Sequence, residues 1–211
     1  MFKKQYIIVD DFYDNPEAIT ALVNDLPTEE VAGGNYAGVM SELQLYTDTH
    51  AEIFKSMSGG NTVVPVTQLN GKFRYTNIND VPKQKIHFDP GQNQVWSGVC
   101  YLGKEPEGAT DEELNSYGTH FWKHNRTGLT DIPMTREGIE EHGWKGVDDL
   151  KEFLETDGMD ESLWTKTFTV PYKYNRLVLF RPWMFHSPGK AFGTDKSNCR
   201  MIQTFFLGIP N

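Results

Sequence analysis

The 211-residue chain predicts a mostly β domain with flanking α-helices, a β-sandwich or jelly roll backed by an N-terminal helical layer. Three observations predict it. From residue 62 the chain breaks into short runs rich in β-branched and aromatic residues, with turn residues between them. Several of those runs are apolar on both faces, which demands a packed layer on each side of the sheet. Before residue 62, two stretches carry helical spacing and helix end signals instead.

In chain order, "YIIVDDF" reads as a short strand. "NPEAITALVNDL" reads as a helix, with Asn15 able to cap, Pro16 suited to the first helical position and Glu17 favourable near the positive end of the dipole. "THAEIFKSMSGG" is a second helix, stopped by Gly59 and Gly60. The strands that follow are "NTVVPV", "KFRYTNI", "QKIHFD", "QVWSGVCYL", "GTHFWKH", "TKTFTVPY", "NRLVLF", "WMFH" and "CRMIQTFFLGI". In the last of these one face carries Arg200, Ile202, Thr204 and Phe206, and the other Met201, Gln203, Phe205 and Leu207. A polar insertion of roughly forty residues, at about 125–165, separates "GTHFWKH" from "TKTFTVPY" and holds a helix in "VDDLKEFLET". The organisation expected is a single domain over 1–211. An N-terminal strand and its supporting helices fill 1–61, and the β core fills 71–209.

Apolar content of 38% suffices for a filled core. A formal charge of −9 excludes a broad basic footprint and makes nucleic acid an unlikely partner. The first apolar run is too short for a signal peptide or a membrane span. Cys100 and Cys199 lack paired-motif spacing and read as reduced core thiols. A soluble cytoplasmic protein is the expectation, with its oligomeric state left open.

Chemistry concentrates in three places. In "KIHFDPG", His87 and Asp89 stand two residues apart, so on a strand both point to one face while Phe88 points to the other. In "RPWMFHSPG", an aromatic stretch delivers His186 after a turn at Arg181-Pro182. Fourteen residues later Arg200 interrupts an apolar strand. Each has a plain reading: a solvated strand end, a hydrogen-bonded core histidine, a local salt bridge. A buried guanidinium nevertheless needs an anion, because burying the charge alone costs several kcal/mol. A small bound carboxylate suits its fork geometry. Two histidines and one carboxylate with open positions make the facial triad of non-haem iron(II) oxygenases.

On "KIHFD", "WMFH", "CYLG" and "CRMIQT" the chain resembles the iron(II)- and 2-oxoglutarate-dependent oxygenases, in particular the prolyl-hydroxylase-like branch. The resemblance implies a double-stranded β-helix (jelly roll) over about 71–209. It implies iron(II) held by His87, Asp89 and His186, which are then the catalytic and metal residues. It implies Arg200 pairing with the distal carboxylate of 2-oxoglutarate, and Tyr101, Thr204 and Tyr75 as further contacts. The spacing from His186 to Arg200 is long for that branch. Lys196, in the polar turn "GTDKSN", sits at the shorter spacing as rival anchor. His120 and His124 are placed at the mouth of the site, His50 and His142 on the surface.

The implied reaction is hydroxylation of a C–H bond of a peptide side chain, amino acid or small metabolite, releasing succinate and carbon dioxide. Asp89 favours that outcome over halogenation, for which the family leaves the carboxylate position vacant. Trp122, Lys123 and Arg126, at the start of the insertion that carries Trp144 and Trp164, either meet an acidic or aromatic substrate or pack the loop. Two alternatives remain: a cupin-like metalloenzyme that uses the same ligands without needing Arg200, and a non-catalytic jelly-roll binding module.

Overall fold

The computed structural model describes residues 4–30, 37–81, 86–89 and 91–210. The elements run β1 (Tyr6–Val9), α1 (Pro16–Asn24), β2 (Thr28–Glu30), β3 (Val39–Gln44), α2 (Asp48–Met57), β4 (Val64–Pro65), β5 (Lys72–Thr76) and β6 (Gln94–Tyr101). Then come α3 (Asp111–Tyr117), β7 (Thr119–His124), α4 (Arg136–Glu141), α5 (Val147–Asp157), β8 (Trp164–Val170), β9 (Leu177–Phe180), β10 (His186–Pro188) and β11 (Arg200–Gly208).

Local signals set the two early helices. The Asn15 side chain accepts from the Ala18 amide at 3.0 Å and Pro16 opens α1. Thr47 and His50 close a reciprocal capping box on α2. That helix runs out at Gly59 and Gly60, whose φ values of 71° and 85° suit glycine.

The larger sheet has the order β1-β9-β6-β11-β5-β3-β2, with β4 paired to one end of β11. The smaller sheet has the order β10-β7-β8. Neighbours pair antiparallel. Strand β11 is central, with Ile202 opposite Arg74 on one side and Tyr101 on the other. All its residues are buried, as two-sided cover requires. One face packs Met201, Phe205 and Leu207 with Phe54 of α2, Val23 of α1, Tyr75 and Trp96. The other face turns toward the smaller sheet, where Ile202, Tyr101, Phe121, Val178 and Phe180 form a second cluster. At about 25 cal/mol per Å² of apolar surface removed from water, such two-sided burial of β11 stabilises the fold from both layers. The β-rich architecture with an N-terminal helical layer therefore matches the sequence expectation.

Several elements differ from that expectation. Strands β2 and β3 extend the sheet where polar residues gave no strand pattern, because β5 offers them its free edge. "QKIHFD" forms an isolated antiparallel bridge between His87 and His186, not a strand; its first two residues lie outside the described ones. The helix α3 was not anticipated, although Thr110 and Glu113 spell its capping box.

The insertion folds as α4 and α5 and builds a third cluster. Phe153, Leu154 and Trp164 pack there against Ile86, Phe88, Trp122 and Phe185. Trp122 donates its indole N–H to Ser187 at 2.9 Å and Arg126 pairs with Asp157 at 3.1 Å, so loop packing is the role these two take. Lys123 points to solvent. Both thiols are free and buried. Among the described residues no helix is long and apolar enough to cross a membrane.

Candidate metal centre

Two backbone hydrogen bonds put the histidines side by side. The His87 amide donates to the His186 carbonyl at 2.9 Å, and the His186 amide donates to the His87 carbonyl at 2.8 Å. A pair exchanging both bonds points its side chains the same way, and the imidazole centroids lie 4.4 Å apart. Asp89 is fixed from the opposite quarter, its amide donating to the Pro182 carbonyl at 2.8 Å.

The turn that supplies Pro182 also orients His186, whose Nδ1 lies 2.9 Å from the Met184 carbonyl. A carbonyl only accepts, so Nδ1 carries the proton and the Nε2 lone pair is left facing inward. The Nε2 atoms of His87 and His186 stand 3.7 Å and 3.5 Å from the Asp89 carboxylate oxygens. These separations are too long for strong hydrogen bonds. They suit three donors around one ion about 2.0–2.2 Å from each. The three ligand atoms lie within 4.8 Å of one another, and no other group of three His, Cys, Asp or Glu does so among the described residues. Two imidazoles and one carboxylate, with the remaining positions open to a cavity, are the donor set of the non-haem iron(II) triad.

Sequence reasoning passed over the residue behind that turn. Arg181 is 1% exposed. Its guanidinium stacks 3.6 Å from the Trp96 ring centroid and donates to the Val95 and Lys4 carbonyls at 2.6 and 2.9 Å. Burial pushes its pKa down to about 10, so it remains charged near neutrality. The only signal for it was "FRPW", an arginine beside an aromatic at a turn.

A narrow cavity opens from the triad between the two sheets, lined also by Arg74, Thr119, Phe180, Arg200 and Thr204. Arg200 is 3% exposed, and its Nε donates to the Tyr117 carbonyl at 3.1 Å. Its guanidinium lies 5.6 Å and 5.8 Å from the Tyr101 and Tyr172 ring centroids. The Tyr101 hydroxyl shares a 2.6 Å hydrogen bond with Thr119. Burial raises the Tyr101 pKa against the opposing pull of Arg200, so the phenol stays protonated. Thr204 lies on the same face, its hydroxyl donating to the Leu69 carbonyl at 2.7 Å. His186 packs against the Phe180 ring at 4.4 Å.

Other expected residues are not brought to the cavity. Tyr75 points to the opposite face of β5 and donates to the Val23 carbonyl at 2.8 Å, because period-two alternation gives Arg74 the inner face. Lys196 donates to the Leu26 carbonyl at 2.8 Å and sits 4.7 Å from the Tyr75 ring, outside the cavity.

His120 and His124 do not line the mouth. Phe121 pairs with His186 across the small sheet, which turns His120 away, toward Thr169 at 2.9 Å. Burial, helped by Lys166, pushes the His120 pKa down to about 4. His124 bonds Thr127 and lies 3.2 Å from Asp157, in the insertion's cluster. Burial lowers its pKa more than Asp157 raises it. His50, expected on the surface, is buried against the Tyr13 hydroxyl at 2.8 Å, since α2 needs it for its cap. His142 is half-buried and stacks on Trp144.

The inner-face residue missed from sequence is Arg74, 7% exposed. It carried the signal that singled out Arg200, a cation alternating with apolar neighbours, here Phe73 and Tyr75. Two wider surface grooves, of about 580 and about 480 Å³, lie elsewhere, around Asn79 and Lys196 and around Lys104 and Asn198.

The architecture is shared with the non-haem α-ketoglutarate-dependent epimerase SnoN of nogalamycin biosynthesis. That likeness has a TM-score of 0.55 and 14% identity, covering 98% of this chain and 79% of SnoN. A Pseudomonas putida prolyl-4-hydroxylase matches with a TM-score of 0.49 and 11% identity, covering 99% and 95% of the two chains. HygX from Streptomyces hygroscopicus, solved with nickel and 2-oxoglutarate, matches with a TM-score of 0.48 and 8% identity, covering 97% and 83%. The fold is thus shared with SnoN, and on it His87, Asp89 and His186 form a group able to hold a metal ion. No curated protein matches it. The chain belongs to the DUF6445 family, a family of unknown function whose model matches residues 2–207.

Proposed function

We propose that the protein is an iron(II)- and 2-oxoglutarate-dependent oxygenase built on a double-stranded β-helix, hydroxylating a C–H bond of a small molecule or peptide side chain. The observation that carries this reading is the convergence of His87, Asp89 and His186 on a cavity that also receives the Arg200 guanidinium. The iron, when bound, supplies co-substrate chelation and oxygen activation, chemistry no side chain here can perform.

The chain's own residues do the rest. His87 and His186 offer Nε2 and Asp89 its carboxylate, leaving the cavity side open. Arg200 receives the distal carboxylate of 2-oxoglutarate as a charge-assisted pair. Tyr101 and Thr119 use one hydroxyl proton between them, which leaves the other for the same carboxylate. Phe180 and Phe121 keep water from the His186 side of the centre. Thr204 already donates to a carbonyl and contributes as an acceptor and a wall. Tyr75 takes no part. Buried, free Cys100 and Cys199 support a reducing, cytoplasmic setting.

Anaerobic titration of metal-free protein with iron(II) and then 2-oxoglutarate tests the reading through the weak visible band of the chelate. The band forms in the wild type and is lost in His87→Ala. Iron binding without the band overturns the oxygenase assignment in favour of another metal chemistry. No iron binding at all leaves a binding module.

A further inference from the structure

Strand β1 ends the larger sheet, and among the described residues it pairs only with β9. Two other sheet ends carry charges along the strand, which discourages further pairing: Glu29 and Glu30 on β2, Lys166 on β8. Tyr6–Val9 has neither a charge nor a proline. Its side chains divide by alternation. Ile7 and Val9 pack against the core cluster on the helix side, whereas Tyr6 and Ile8 are 46% and 42% exposed. Tyr6 meets the Phe168 ring of β8 at 5.1 Å, so two free edges lie side by side.

The backbone of β1 limits how a further strand can add. The Arg181 amide donates to the Gln5 carbonyl at 3.0 Å, so the peptide groups of Gln5, and by alternation those of Ile7 and Val9, face β9. Those of Tyr6 and Ile8 face the open side. In an antiparallel pair, residues facing outward on one strand must stand opposite residues facing outward on the other. An identical strand meets that condition about a two-fold axis at Ile7. Tyr6 then stands opposite the partner's Ile8, and Lys4 opposite the partner's Asp10. An axis at Tyr6 sets Lys4 against Ile8, and one at Ile8 sets Asp10 against Tyr6, so each leaves a charge facing an apolar residue. The segment "KQYIIVD" is basic before the strand and acidic after it, which makes it complementary to its own reverse. Lys4 and Asp10 are both exposed, and Asp10 already holds Lys173 and Arg176 of its own chain at 2.8 and 2.6 Å. Lys4 therefore selects the register more than it adds stability.

We infer that the free edge of β1 is a self-association surface, at which two copies of this chain join their larger sheets antiparallel about a two-fold axis at Ile7. Tyr6 and Ile8 of both copies then cover one another as cross-strand neighbours. A strand this short buries less than a standard interface, so the dimer is weak and depends on concentration. The inference stands apart from the oxygenase reading.

Sedimentation velocity of the full chain, from about 5 to about 500 µM, tests it across the range where weak interfaces form. The wild type passes from monomer to dimer over that range. Ile8→Lys, at an exposed position, leaves the urea midpoint unaltered and weakens association by at least about tenfold, because it sets two cations beside the axis. Lys4→Glu weakens it by about threefold or more, because it sets a carboxylate against the partner's Asp10. Cysteine cross-linking reads the register. Residues paired with themselves at such an axis have Cα atoms about 4.5 Å apart, so mild oxidation links Ile7→Cys into a dimer. Tyr6→Cys, whose copies stand two strand positions apart, does not link. Native Cys100 and Cys199 are buried and do not compete. A monomer at every concentration overturns the inference, as does a dimer that Ile8→Lys leaves intact. Linking through Tyr6→Cys in place of Ile7→Cys, or through neither, overturns the axis at Ile7 and the inference with it.

Discussion

Replacing His120 with glutamine removes a proton-binding site that the fold suppresses. His120 is 7% exposed on β7, faces Thr169 at 2.9 Å and has Lys166 nearby. Both burial and that cation favour the neutral ring, lowering its pKa from 6.5 to about 4. At about 1.4 kcal/mol per pH unit, the difference between folded and unfolded protein amounts to about 3 kcal/mol when fully expressed. The folded value is the depressed one, so the unfolded chain takes up the proton first as the pH falls. The stability is therefore fully present above 6.5 and is lost as the pH drops toward 4. Glutamine keeps a polar partner for Thr169 and carries no charge at any pH. Urea unfolding from about pH 7.5 to about pH 4 measures the outcome. The wild type loses about 3 kcal/mol more than His120→Gln across that window, and the two are alike within about 1 kcal/mol at the neutral end. His50 and His124, also lowered by burial, are present in both proteins and cancel in the difference. Parallel curves would refute the reasoning, because they would mean that His120 titrates in the folded protein as it does in the unfolded chain.

Gly189→Ala acts on Arg200, the proposed co-substrate anchor, without touching it. A Cβ there would stand 2.4 Å from the Tyr117 carbonyl carbon, so the segment that receives the Arg200 Nε must move. An overpacking cost of about 1–3 kcal/mol is expected in urea unfolding, together with weaker 2-oxoglutarate binding in the chelate titration. Unchanged affinity would show that Arg200 does not depend on Tyr117. Ser187→Ala removes the acceptor of the buried Trp122 indole N–H and costs about 1–3 kcal/mol in the same unfolding measurement. An unaltered midpoint would mean that the indole finds another acceptor.

The parts of the site written in strand periodicity were legible. Arg200, Ile202 and Thr204 share a face because alternation is all that is needed to put them there. His87 and Asp89 were read as strand neighbours. They are aligned instead by separate long-range bonds, to the His186 and Pro182 carbonyls, which no local pattern encodes. Tyr75 was lost and Arg74 missed for one reason. A first-strand tyrosine was favoured by resemblance, whereas the face it occupies is set by the register of β5 against β11. The misplacement of His120 and His124 has the same origin. Their even spacing implies a shared face only along a regular strand, and β7 shifts register against β8 between Phe121 and Trp122.

The turn from Arg181 to Met184 explains how the three triad residues, from two separate chain segments, come to meet. Its Pro182 carbonyl holds the Asp89 backbone, its Met184 carbonyl orients the His186 ring, and the His186 backbone in turn holds His87. The backbone of each triad residue is thus fixed by peptide groups, which keep one geometry. The turn needs an anchor of its own. Arg181 provides one by stacking on Trp96 and donating to two carbonyls of other segments, Val95 and Lys4. A guanidinium is suited to that task where an apolar residue is not, since only it offers several donors in a fixed plane beneath an aromatic face. The arginine in the turn and the arginines in the cavity therefore spend the same chemistry differently. Arg181 is bonded to backbone carbonyls of other segments and steadies the turn beside the triad, whereas Arg200 and Arg74 line the cavity between the sheets.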